Sequence, residues 1–316
     1  MPSPRRPAAL TNAAERLTLG QRRGLEAAAP ASLSSQRRPG PAGGSRRPCR
    51  LSRRATLARG FIRVHEAGPP SNWSMTFHDA YHDLEDRFRA LAAADGDIYL
   101  PNVEPSGPVE HVLIAMEPSL GRWARSPQEA RAKVEAGFRN FVADEVGDVV
   151  LLHHAIRHYL GTESYHLTDF SKGAMLTAHA NLDRSERYDR WYRLLLAELN
   201  LVGPEAQIFA VGKVVARHLS GRGFRKFTEI LHYSGLAGRA RAAAIRGHEA
   251  EFEAFRSTVS LTDIIATAEK VLEPVPARLR ETTLRDLARI ELTTSKLALL
   301  FAYRLAFDPR QVTTST

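Results

Sequence analysis

Three side chains able to do acid–base or hydrogen-bonding chemistry, Glu117, Asp169 and His232, each come directly after a short apolar run. Carboxylates accept hydrogen bonds and protons, and an imidazole donates or accepts, so two carboxylates and a histidine on one surface make a reactive set. The runs before them are Val112 to Met116, Tyr165 to Thr168 and about Phe227 to Leu231; a further run, Gln207 to Val211, ends at Gly212-Lys213. Short apolar runs bounded by turn residues read as buried strands. Pro118 has no N–H to donate and biases Glu117 away from helix, so the first strand ends there, ahead of Ser119 and Gly121. Taken singly, each of the three is the ordinary polar residue that follows a strand. In a parallel sheet, however, all three share the carboxyl edge, where open α/β sheets place their ligands.

Helical patterns separate these runs. Phe77, Tyr81, Leu84, Phe88 and Leu91 recur at spacings of three and four, one helical face between Thr76 and about Ala94. Ser126-Pro127 is an N-cap followed by proline at the first helical position, predicting a helix to about Val142. Val149 to Leu160 is an apolar segment carrying His153, His154 and His158. Asp183 or Ser185 caps a helix to about Leu199, a short helix reaches Leu219, and another runs from about Leu236 to Phe255. Strands alternating with helices imply a parallel sheet with right-handed crossovers. From about Val259 onward the pattern is helical, broken at Pro274 and Pro276, and reads as an extension packed on the sheet domain.

The formal net charge is +9, but its location matters more than its size. Residues 1–72 hold fourteen Arg against Glu15, Glu26 and Glu66, a net +11, which leaves −2 for the rest. Charge alone therefore does not make the body a nucleic-acid binder. The Arg/Ala/Pro-rich leader buries little and is expected to be disordered. It reads as a basic arm, a transit peptide, or a leader absent from the native protein, whose start would then be Met75; the last is preferred. The expected division is 1–72 tail, 73–256 α/β domain and 257–316 helical extension. Cys49 is the only cysteine, which rules out an intramolecular disulfide and a multi-cysteine metal site. That suits a reducing compartment, and the cytoplasm is the expected location. No stretch approaches the ~20 apolar residues of a membrane span. His154 and His158, four apart, match a helical metal pair only weakly, and neither a metal nor another cofactor is expected.

The strand ends, in this order, resemble the uracil-DNA glycosylase superfamily over roughly residues 105–256. Ala115-Met116-Glu117-Pro118-Ser119 looks like its first motif, a strand ending in a proline turn. Thr168-Asp169-Phe170-Ser171-Lys172 is similar to a strand ending in Thr-Asn with Lys soon after. Ala210-Val211-Gly212-Lys213 resembles a Val-Gly strand end, and His232-Tyr233-Ser234 resembles the closing His-Pro-Ser. The resemblance implies a three-layer α/β/α fold on a four-stranded parallel sheet. It implies DNA as the partner, single- or double-stranded, and hydrolysis of the N-glycosidic bond of a flipped base. On it, Glu117 positions or activates water and stabilises oxocarbenium-like charge, and His232 donates to the departing base. Asp169 stands where the family reads the base edge with Asn. Met116, Pro118, Ser119, Lys172 and Ser234 complete the substrate-binding set, and Trp123 is the candidate for stacking on the base.

This chain departs from the family pattern in three places. An ionised Asp169 only accepts, so it suits the N3–H of uracil or the exocyclic amine of cytosine and leaves the base open. Glu117 is one methylene longer than the usual Asp, and Tyr233 replaces proline. Lys172, Lys213, Arg222, Arg225 and Lys226 lie near the expected site edge as phosphate contacts or as solvated surface. Two other readings stay open: a non-catalytic nucleotide or nucleic-acid binder on the same fold, and a metal-dependent hydrolase using His154, His158 and Asp169.

Overall fold

The computed structural model describes residues 76–308, apart from 122, 143–145, 181 and 235–236. The expectations for residues 1–72, and for a start at Met75, lie outside the described residues. The strands are β1 (Ile98–Tyr99), β2 (His111–Ala115), β3 (Ser119–Leu120), β4 (Tyr165–Asp169), β5 (Gly173–Leu176), β6 (Gln207–Val211) and β7 (Thr228–Ile230). The helices are α1 (Phe77–Ala94), α2 (Pro127–Glu135), α3 (Val146–Ala155), α4 (Thr177–Ala180), α5 (Arg184–Val202), α6 (Lys213–Gly221), α7 (Gly238–Ile245), α8 (Glu249–Arg256), α9 (Leu261–Val271), α10 (Ala277–Leu287) and α11 (Thr294–Phe307). A π-helical turn, Ile156–Leu160, continues α3.

The main sheet has four strands, all parallel, in the order β4-β2-β6-β7. Strands covered on both faces should read as continuous apolar runs, and the two inner strands, β2 and β6, do so over Val112–Ala115 and Ile208–Val211. Alternate residues of β2 and β6 point to opposite layers. Leu113, Ala115, Phe209 and Val211 join a core with α3, α8, α9 and α11. Val112, Ile114, Ile208 and Ala210 join another with α5 and α6. The architecture is thus a four-stranded parallel sheet between helical layers. The C-terminal helices belong to one layer's core: Leu299, Leu300, Phe301 and Tyr303 of α11 are fully buried in it. At ~1.5–3 kcal/mol per buried large apolar side chain, this helix stabilises the sheet's own core.

Two expected helices are shorter than their patterns. The helix begun at Ser126 ends at Glu135, not near Val142, because Gly137 takes a left-handed φ of +94°. The one expected from Leu236 to Phe255 is divided into α7 and α8, with Gly247 at φ +80° between them. A small second sheet, β1-β5-β3, escaped the sequence reading because its strands are two to four residues long. Asp169, expected just past its strand, is instead the last rung of β4, opposite Ala115.

Candidate active site

The chain leaves β2 for β4 on one side and then crosses to β6 and β7 on the other. The carboxyl ends of β2 and β6 therefore form the topological switch point, where a crevice opens in open α/β sheets. A cavity of about 520 Å³ lies there, within the ~300–1,000 Å³ of small-molecule sites. Met116, Glu117, Pro118 and Ser119 line it from the turn after β2, and His232, Tyr233 and Ser234 line it from the turn after β7. Trp123 and Phe138 add an aromatic wall, their rings stacked at 4.8 Å and 12°, with the indole N–H donating to the Ser119 carbonyl at 2.8 Å.

Glu117 is held from above by α5. Its Oε1 accepts from Arg184 Nε at 3.0 Å and Nη2 at 2.5 Å, and Oε2 accepts from the Tyr188 hydroxyl. Tyr188 is itself stacked on Phe170 at 4.1 Å. Burial first, and the neighbouring Glu117 charge second, push the Tyr188 phenol up, so it stays a donor. An ionised carboxylate has about four acceptor sites, and with three filled here one remains on Oε2.

His232 is a neutral donor. Its Nδ1 accepts the Ser234 backbone N–H at 3.0 Å, which leaves the proton on Nε2. Burial, with the Arg241 charge second, holds its pKa down to about 4. Gly212 is needed beside it: φ is +93°, and a Cβ there would sit 3.1 Å from His232 Cβ. Arg241 fixes the turn from behind, donating to the carbonyls of Tyr233 and Ser234 and to Asp148 at 2.8 Å. Tyr303 donates to the Leu231 carbonyl at 3.1 Å.

Asp169 and Lys172 do not line this cavity. Asp169 is buried below it and accepts from the Asn140 side-chain amide, while Asn140 reaches the cavity wall. Burial pushes the Asp169 carboxyl well above the usual range despite the Lys172 charge. In this structure Asp169 acts as an acceptor, taking the Asn140 amide hydrogen, so it meets the cavity only through Asn140. Lys172, read from sequence as an edge cation, is 1% exposed and pairs with Glu198 Oε2 at 2.7 Å. Burial raises the Glu198 carboxyl, but Lys172 and His166 outweigh it and hold it down to about 2. This internal pair joins β4, through His166 and Thr168, to α5.

Asn140, Arg184, Tyr188 and Arg241 were not singled out from sequence. Asn140 sits in the loop exposed by the early end of α2, and Phe141 beside it has a left-handed φ of 64°, a costly conformation for a bulky residue. The carbonyl of Phe141 contacts His153 Nε2 at 3.0 Å, which helps hold that backbone. His154 and His158 stack at 5.2 Å and 12°, and His154 Nδ1 meets Thr267 Oγ1 at 3.2 Å. Among the described residues they gather no third metal ligand.

A second cavity of about 540 Å³ lies across the wall formed by Asn140, Phe141 and Val142, lined also by His153, Arg157 and Ser164. It contains none of Glu117, Asp169 and His232. No helix among the described residues is long and apolar enough to cross a membrane. Comparison of the chain with protein-family models, with curated proteins and with solved structures finds no match in any of the three.

Proposed function

We propose that the chain is a uracil-DNA glycosylase-like protein that hydrolyses the N-glycosidic bond of a base flipped out of DNA. The observation that carries this reading is the meeting of Glu117 and His232 across one aromatic-walled cavity at the sheet's switch point. A flipped base needs a flat apolar surface, and Trp123 stacked on Phe138 supplies one. As the bond to the sugar lengthens, negative charge grows on the base and positive charge on the sugar. His232, neutral with its proton on Nε2, donates to the first without giving up a full charge. Glu117, held by Arg184 and Tyr188, faces the second, and its remaining acceptor site orients the attacking water. With three of its acceptor positions taken by Arg184 and Tyr188, its contribution is orientation and charge rather than proton abstraction.

Base selection falls to Asn140. Its two amide hydrogens go to Asp169 and, at 3.4 Å, to Asn102 Oδ1, which leaves its carbonyl oxygen to accept from the base. That favours bases presenting an N–H donor at the recognition edge, the N3–H of uracil or the N1–H of a deaminated purine. Oligonucleotides carrying uracil, hypoxanthine or mismatches test the reading: an abasic product on at least one supports it. Intact strands on all of them, with folded protein, remove it.

The Arg184 and Tyr188 bonds that occupy Glu117 favour one second reading, a non-catalytic binder using the same cavity. DNA binding unchanged by Glu117→Ala with His232→Ala, and no turnover by the parent, would select it.

A further inference from the structure

We propose that His78, His82 and Glu104 form a surface site for a divalent first-row transition-metal ion, with zinc as the reference ion. His78 and His82 are four residues apart on α1 and so project from one face of it. Glu104 reaches them from the segment between β1 and β2. One nitrogen of each imidazole and one carboxylate oxygen all lie within 4.8 Å of one another. The two Nε2 atoms are 2.9 Å apart and His82 Nε2 is 3.9 Å from Glu104 Oε2, while the other nitrogen of His78, Nδ1, contacts the other oxygen, Glu104 Oε1, at 2.6 Å. Ligand atoms at ~2.0–2.2 Å around a tetrahedral zinc lie roughly 3.4 Å apart, so modest rotations of exposed side chains complete the geometry.

The chemistry of the set selects the ion. Two imidazoles and one carboxylate suit zinc and its neighbours, whereas calcium and magnesium want an all-oxygen shell. Two Nε2 atoms facing each other require that one carry the proton and the other accept it. A cation between them satisfies both lone pairs at once. Glu85 Oε2, 3.6 Å from His82 Nδ1, stands where a carboxylate orients a metal-bound imidazole from its far side. The side chains of His78 and His82 are 65% and 52% exposed, so the remaining position is open to water.

The site is separate from the cavity that holds Glu117 and His232. Its bound ion would fasten α1 to the segment carrying Asn102, whose amide donates to Thr168 at 3.2 Å. Stabilisation by metal is therefore the expected consequence.

Zinc titration of the full chain by calorimetry, with metal content measured after removal of excess ion, tests this. A Cys49→Ser, His65→Ala background controls for ligands earlier in the chain. Saturable, stoichiometric binding is expected, weakened about tenfold or more by His82→Ala and by Glu104→Gln, and unchanged by His154→Ala. Zinc should raise the thermal midpoint of the parent but not of His82→Ala, and calcium should not compete. Absence of saturable binding, or equal affinity in His82→Ala with unchanged circular dichroism, overturns the proposal.

Discussion

Replacing Arg184 by methionine should show whether Glu117 is a buried, partnered charge or a screened surface group. The carboxylate side chain is 2% exposed and takes two of its three hydrogen bonds from the guanidinium. Methionine keeps the apolar stem but leaves an anion with only the Tyr188 hydroxyl, a loss of about 3–5 kcal/mol for breaking a buried pair. Glu117→Gln should cost less, about 1–2 kcal/mol, because Arg184 is 19% exposed and water can serve it. The double variant should be more stable than the sum of the singles predicts, by about 2 kcal/mol. Urea unfolding at pH 7 measures all four proteins. An Arg184→Met protein within ~0.5 kcal/mol of the parent, or strictly additive effects, would refute the reasoning.

Other outcomes follow from the same geometry. His153 and His232 are both held down to about 4 by burial, while their unfolded forms protonate near 6.5. The unfolded state therefore binds more protons between these values, so stability is full above pH 6.5 and falls by roughly 3 kcal/mol per histidine as pH drops to 4. Denaturant midpoints across that window, with and without His153→Phe, measure it. Gly212→Ala combines a left-handed φ with a Cβ 3.1 Å from His232 and should cost more than ~1 kcal/mol while displacing the imidazole; thermal unfolding and the imidazole proton resonances read both effects. Trp123→Phe should keep the aromatic wall but lose the bond to Ser119, whereas Trp123→Leu should weaken binding of base-bearing DNA by about 1–3 kcal/mol in fluorescence anisotropy.

What the sequence made legible follows from where the determinants lie. The two inner strands of the main sheet, β2 and β6, are buried on both faces, so Val112–Met116 and Gln207–Val211 stood out as apolar runs. Glu117 and His232 were visible because a chain leaving such a strand must surface at one edge. Their supports were not. Arg184, Tyr188 and Arg241 approach from helices and carry no local pattern that separates them from other arginines and tyrosines. Asn140 was hidden inside a helix extended too far; the left-handed Gly137 was the available signal. Lys172 looked like an edge cation because its partner, Glu198, lies on α5, far along the chain. His78 and His82 were in plain view, but Glu104 became their neighbour only through the fold.

Release of free base from oligonucleotides tests the central claim most directly, followed under single turnover by mass spectrometry of the liberated base. The account predicts release of uracil or hypoxanthine by the parent protein, and a loss of about a hundredfold or more in both Glu117→Gln and His232→Leu. Release that survives both substitutions, or no release from any substrate by folded parent protein, would contradict it.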